Sequence, residues 1–362
     1  MSDSQLPVLV EERNQIGHLT LNRREGLNAL TLDMIRMLRD QLDRWSKNDD
    51  IVAVVLRGRG EKAFCAGGDI RALYDSFKAG DSMHITFFEE EYALDQAIHN
   101  YPKPVLALMD GFVLGGGMGL VQGASHRVIT ERVRMGMPET GIGYFPDVGG
   151  SYFLSRLPGE IGVYLGLTGT QIRAADALYT GLADHCLASD MLAELDRELN
   201  SMTWSDNAGG DLDGLLARMC SSKMPGSEIK AIRSAIDRHF GHDDLLGIRR
   251  SLETEHCVSY QDWAEKTVSL LNSRSPLSMS VTLELVRRGR ELSLADCFAL
   301  ELHLDRQWFS KGDIMEGVRA LLIDKDKSPR WNPATLEEVA PRQVNEFFHG
   351  FATGAGGIQR QA

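Results

Sequence analysis

The stretch "VLALMDGFVLGGGMGLVQGA", residues 105–124, is the most apolar in the chain and about as long as a membrane-spanning helix. Its interior argues against that reading. Asp110 and six glycines interrupt the run, and glycine weakens a helix interior because it loses the most backbone freedom on folding. The stretch reads instead as a buried strand over 104–111, a turn, and a helix beginning within "GGGMGL". No membrane partner is expected.

Outward from this point the same alternation repeats. "IGHLTLN" (16–22) reads as a strand, with Ile16, His18 and Thr20 on one face and Leu19 and Leu21 on the other. Ile35, Leu38, Leu42 and Trp45 then recur at helical spacing, with Thr31 as N-cap and Asp33 in the first turn. "IVAVVLRG" (51–58) is a continuous β-branched run, as expected of a strand covered on both faces. A Gly-rich bend follows at 66–68. A long helix over 82–99 stops at "YPKP", where proline cannot continue it. "RVIT" and "RVRMGM" add short strands. The pattern is α/β, with a parallel layered sheet and ligand-binding turns at strand ends.

The expected organisation is a core over 1–200 and a linker or surface excursion over 201–226. A helical C-terminal region follows over 227–349, then a tail over 350–362 too poor in core formers to be ordered. There is no internal sequence repeat. Net charge is -12, from 39 basic and 51 acidic side chains, and no basic block suggests a nucleic-acid surface. Cys65, Cys186, Cys220, Cys257 and Cys297 are scattered, odd in number and without a CxxC pair, so neither disulfides nor a zinc site is indicated. Reduced thiols and an N-terminal "MSDSQLPVLVEER" without a targeting signal lead to a cytoplasmic expectation.

Chemistry could sit at three places. "FCAGGDI" (64–70) and "GFVLGGGMGL" (111–120) are glycine clusters after strands, where a ligand atom can approach the backbone and amide N–H groups become usable donors. Two such donors aimed at one carbonyl oxygen would form an oxyanion hole; the alternative is that these glycines only permit tight turns. G-x-G-x-x-G does not occur in register at 115–119, and there is no P-loop. The third place is "MPETGIGYFPDVGG" (137–150), where Met135, Met137, Ile142, Tyr144, Phe145 and Val148 flank Glu139 and Asp147. Carboxylates in apolar surroundings have raised pKa values and become useful for proton transfer or attack; alone, they would read as surface charges or caps. Cys65 has apolar neighbours and reads as a core thiol rather than a nucleophile. His239 and His242 have metal-like spacing but no third ligand nearby, so they read as a solvated helix end. "EEEY" (89–92) reads as an exposed helix face.

Taken together, "LNRREGLNALT", "FCAGGDIRALY", "DGFVLGGGMGL" and "MPETGIGYFPDVGG" resemble, in order and spacing, the motif series of the crotonase (enoyl-CoA hydratase/isomerase) superfamily. "AGGDIR", "EEY", "PET…FPDVGG" and "EGVRALLIDKD" at 316–326 narrow the resemblance to its 3-hydroxyisobutyryl-CoA hydrolase branch. The resemblance implies a crotonase-like spiral of ββα units followed by helices, acting on an acyl-CoA thioester in valine catabolism without metal or other cofactor. It maps Gly68 and Gly116 onto the oxyanion donors and Glu91 onto the substrate pocket. Glu25, Gly26, Ala29, Ala66 and Ile70 fall at CoA contacts, and Glu139 and Asp147 at the reacting carboxylates. Gly119 stands where hydratases carry the first of two glutamates, while Asp147 stands where they usually have glycine. That exchange favours attack on the thioester carbon. An enoyl-CoA hydratase or isomerase is the alternative within the fold, and a non-catalytic acyl-CoA-binding subunit is the alternative outside catalysis. A homo-oligomer is possible.

Overall fold

Strand and helix propensities place most elements where local pattern puts them. The structure, a computed structural model, describes residues 6–354. Its strands are β1 (Val8–Arg13), β2 (Ile16–Leu21), β3 (Ala53–Gly58), β4 (Ala63–Cys65), β5 (Val105–Met109), β6 (Phe112–Leu114), β7 (His126–Ile129), β8 (Arg134–Gly136) and β9 (His185–Cys186). One sheet has the order β1-β2-β3-β5-β7-β9 and the other β4-β6-β8. Only the β1–β2 pair is antiparallel in the larger sheet; β2–β3, β3–β5, β5–β7 and β7–β9 run parallel, with Leu56 opposite Ala107 and Leu108 opposite Val128.

The order exposes a structural repeat that the sequence does not spell. β3 then β4, β5 then β6, and β7 then β8 each place a first strand in the large sheet and a second in the small one. Helix Ile70–Ala79 follows β4, and helix Gly116–Gln122 follows β6. This is the expected α/β spiral of ββα units. In chain order Gly68, Gly116 and Glu139 each come two or three residues after β4, β6 and β8.

Two units make up the chain, and they are interleaved rather than consecutive. The first takes residues up to Gly68, Glu90–Met135 and Ile172–Glu228; the second takes Asp69–Glu89, Gly136–Gln171 and the residues from Ile229 on. In the first, Ile16, Val55, Leu106 and Val128 pack with Leu195, Leu199, Leu212, Leu215 and Leu216. The last three belong to helix Ala208–Met219, whose N-cap Asn207 accepts from Gly210 N at 3.1 Å. The stretch 201–226, expected as a linker, therefore supplies core. Glycine and polar residues dominate its start, and the apolar stripe is narrow enough to escape a composition reading. On β2, His18 is 2% exposed, so the face it shares with Ile16 is covered there.

In the second unit, Tyr144 stacks on Phe145 with centroids 4.5 Å apart, and Trp308 meets Phe145 edge-on at 5.0 Å and Phe347 at 4.8 Å. Trp308 Nε1 donates to Gly143 O at 2.8 Å, which satisfies the one polar atom this ring buries. Helix Pro341–Phe348 seals that cluster. Of the expected tail, 355–362 lies outside the described residues; Gly354 N donates to Asp296 Oδ1 at 2.9 Å.

Candidate active site

Gly68 and Gly116 lie side by side in the first unit. A methyl group built on Gly116 would sit 3.5 Å from Gly68 N and would collide with Glu91 Oε1. A side chain at 116 would displace the buried Glu91 carboxylate, so glycine is favoured there by close approach rather than by backbone angle. The chain reaches this geometry through two local devices. Leu30 N donates to Gly67 O at 2.8 Å and Ala66 N to Leu27 O at 3.1 Å, tying the 64–68 turn to the 27–30 turn. Gly115, at φ 50° and ψ -120°, then turns β6 sharply into helix Gly116–Gln122. Among the described residues, no backbone–backbone hydrogen bond outside helices and strands uses the Gly68 or Gly116 amide.

Glu91 is 2% exposed and Tyr92 0%, while Glu89 and Glu90 are only partly buried. The "EEEY" segment is thus not an exposed face: its third glutamate turns inward, beside the two glycines. Asp95, one helical turn on, is also fully buried. Burial, with the charges of Glu91 and Asp95 adding, pushes the Cys65 thiol up to about 12, so Cys65 is a core thiol and not a nucleophile. Ala29 and Ala66, flanking the 27–30 and 64–68 turns, are half-buried, whereas Glu25 and Gly26 form an exposed 3₁₀ turn Arg24–Gly26. Ile70 opens helix Ile70–Ala79, which Asp69 caps by accepting from Ala72 N at 3.4 Å. Gly119 is buried within helix Gly116–Gln122 and offers no side chain.

Glu139 and Asp147 belong to the second unit, 6% and 5% exposed. Glu139 opens the 3₁₀ turn Glu139–Ile142, which Gly143 ends at φ 72°. Thr140 Oγ1 donates to Leu167 O at 3.0 Å and Ser275 N donates to Thr140 O at 3.2 Å, so the turn is pinned next to Glu139. Glu139 Oε2 has no hydrogen-bond partner among the described residues. Burial first, and the charge of Asp147 second, hold the Glu139 carboxyl well above its ordinary range. An unpartnered, desolvated carboxylate oxygen with a like charge in reach costs stability, which is the kind of environment found at functional sites.

Two contributors escape the sequence reading. Glu301, on helix Leu294–Lys311, is 0% exposed and accepts from Gly149 N at 2.7 Å and Ser151 N at 2.8 Å. It stands on the same stripe as Cys297, Leu304 and Trp308, and a glutamate on an apolar stripe was the signal available. Arg274 Nε and Nη2 donate to Thr168 O at 2.9 and 2.7 Å, and its guanidinium packs against Gly141. Burial lowers its pKa. His239 is not at a solvated end: it is 2% exposed, with Nδ1 2.7 Å from Ser251 Oγ and Nε2 2.8 Å from Glu255 Oε2. Among the described residues no three His, Cys, Asp or Glu side chains converge as metal ligands, and no helix is long and apolar enough to cross a membrane.

The family profile described as enoyl-CoA hydratase/isomerase matches residues 16–348. The chain belongs to that family. Within the enoyl-CoA hydratase/isomerase family it is 41% identical to the mitochondrial 3-hydroxyisobutyryl-CoA hydrolase of Gallus gallus, over 96% of this chain and 90% of the relative. It is 36% identical to the Homo sapiens protein of the same name, over 96% and 89%. Among solved structures, a carnitinyl-CoA dehydratase from Mycobacterium thermoresistibile superposes with TM-score 0.88 at 37% identity, covering 98% of this chain and 99% of that one. An enoyl-CoA hydratase from Rhodobacter sphaeroides gives 0.86 at 35%, covering 95% and 97%. The relatives' names thus divide between hydrolysis and hydration on one fold, and fold alone does not choose between them.

Proposed function

We propose that this chain hydrolyses the thioester of a short-chain 3-hydroxyacyl-CoA, 3-hydroxyisobutyryl-CoA first, as a step in valine catabolism. The observation that carries the reading is the pair of carboxylates available: Glu139 with a buried orphan oxygen and Asp147 within electrostatic reach, in a chain whose Gly119 has no side chain. Hydration across C2–C3 uses two carboxylates delivering one water, and the resemblance places the first of them at Gly119. The relatives named 3-hydroxyisobutyryl-CoA hydrolase support the same choice.

In this mechanism the Gly68 and Gly116 amides donate to the thioester oxygen and stabilise the charge that develops on it. Glu139 attacks C1, forming a mixed anhydride as the C–S bond breaks and the thiolate leaves to take up a proton; water then cleaves the anhydride to the 3-hydroxy acid and restores Glu139. In the variant mechanism Glu139 takes a proton from the water that attacks C1 directly. Asp147 orients water or the substrate's 3-hydroxyl, and Glu91 lines the acyl pocket. Glu25, Gly26, Ala29, Ala66 and Ile70 contact CoA. Neither a metal nor a redox cofactor takes part. We place the enzyme in the cytoplasm; its free thiols fit any reducing compartment, the relatives' names say mitochondrial, and cell fractionation decides between the two. A homo-oligomer is open to a solution mass measurement.

The test is a panel of 3-hydroxyisobutyryl-CoA, 3-hydroxypropionyl-CoA and crotonyl-CoA, with free thiol and loss of the double bond followed separately. Thiol release that vanishes in Glu139→Gln is the expected result. Fast hydration of crotonyl-CoA without thiol release would sink the hydrolase and favour the hydratase named among the solved structures.

A further inference from the structure

Glu301 is a buried carboxylate that the mechanism above does not use. Its two oxygens divide the turn that follows Asp147: Oε2 accepts from the Gly149 amide at 2.7 Å and Oε1 from the Ser151 amide at 2.8 Å, with the Ser151 hydroxyl donating to Oε1 as well. Three donors on one side chain favour the ionised carboxylate, against the burial that pushes the Glu301 carboxyl up to about 8. The turn it grips is strained. Val148 holds φ 50° and Gly149 φ 83°, and a β-branched residue at positive φ persists only where its surroundings over-determine it. Phe298, one turn before Glu301, closes the same turn: a methyl group on Gly149 would lie 3.0 Å from its Cζ. Asp147 immediately precedes the strained Val148, and its own carbonyl accepts from Gly150 N at 2.6 Å. The charge of Asp147 acts on both Glu139 and Glu301.

We infer that Glu301 is a positioning residue, which holds the Gly149 and Ser151 backbone and thereby fixes the direction in which Asp147 presents its carboxylate. The kinetic consequence rests on the hydrolase reading; the geometry does not. In Glu301→Gln one acceptor becomes an NH₂ facing an amide N–H, so Val148 can relax and Asp147 loses its aim. A displacement of about 1 Å in a reacting constellation costs on the order of 100-fold in rate.

The experiment compares wild type, Glu301→Gln, Asp147→Asn and the double variant. Amide hydrogen exchange is read at Gly149 and Ser151, and kcat and KM are measured with 3-hydroxyisobutyryl-CoA. Faster exchange at both amides is expected in Glu301→Gln, with kcat down roughly 10- to 100-fold at nearly constant KM. The same substitution should cost little more in the Asp147→Asn background, because both changes remove one function. Unchanged exchange, or an equal fold-loss with and without Asp147, overturns the inference. Should Glu301→Gln not fold, Ser151→Ala removes one of the three donors and enters the same cycle with Asp147→Asn. If the wild type releases thiol from no thioester, the hydrolase reading falls, and the exchange data still decide whether Glu301 holds the turn.

Discussion

Glu139 has two measurable consequences of being buried next to Asp147. The first is kinetic. In the proposed mechanism Glu139 works ionised, so kcat/KM should rise with pH through an inflection above the ordinary carboxylate value of 4.5, because burial and then Asp147 raise it. Asp147→Asn removes the second of these causes, so in its residual activity the inflection should move to lower pH; a profile whose inflection stays put would show that the two carboxylates do not communicate. Glu139→Gln should lower kcat by about 100- to 10,000-fold. The second consequence concerns stability. With the folded value above the unfolded one, the native state holds its proton where the unfolded state has lost it. The contribution of Glu139 is then fully present below about pH 4.5 and is lost as pH rises towards the folded value. Glu139→Gln should therefore melt higher than wild type near pH 8 and converge with it in acid, as thermal scans at several pH values would read. An inactive but more stable variant is what a desolvated functional carboxylate predicts.

At the scale of elements, the residues that sequence placed well are those whose signals act within one turn. Thr31 accepts from Met34 N at 3.3 Å as the cap of helix Leu32–Trp45, and the "YPKP" stop leaves helix Met83–His99 ending where proline demands. The "EEEY" segment failed because helical position, not composition, decides which glutamate turns inward, and Glu91 shares its buried face with Asp95. The largest error at this scale is helix Ala208–Met219. Leu216→Ala should destabilise the protein by about 2–5 kcal/mol, the usual cost of a cavity at a fully buried leucine. Urea unfolding measures it; a change below about 0.5 kcal/mol, typical of exposed sites, would restore the linker reading.

For the whole molecule, the interleaved units make a prediction that consecutive blocks would not. A fragment ending at residue 200 keeps β1–β9 but lacks Leu212, Leu215 and Leu216, which pack on Ile16, Val55 and Leu106 in the same core. Expressed alone, residues 1–200 should show no cooperative unfolding transition by circular dichroism; a sharp transition would mean that the first unit closes without its last helix.

The sequence by itself determined the α/β class, the glycine turns after β4 and β6, and the apolar setting of Glu139 and Asp147. Each of these rests on propensity, capping or spacing within a few residues, where local sterics dominate. Tertiary structure alone decided that Glu91 faces Gly116, that Glu139 keeps an oxygen without a partner, and that 208–219 is core. It also decided that Glu301 grips Gly149 from 152 residues away. Such contacts depend on which segments the completed sheets and helices bring together, and no local signal in the chain encodes the distance between them.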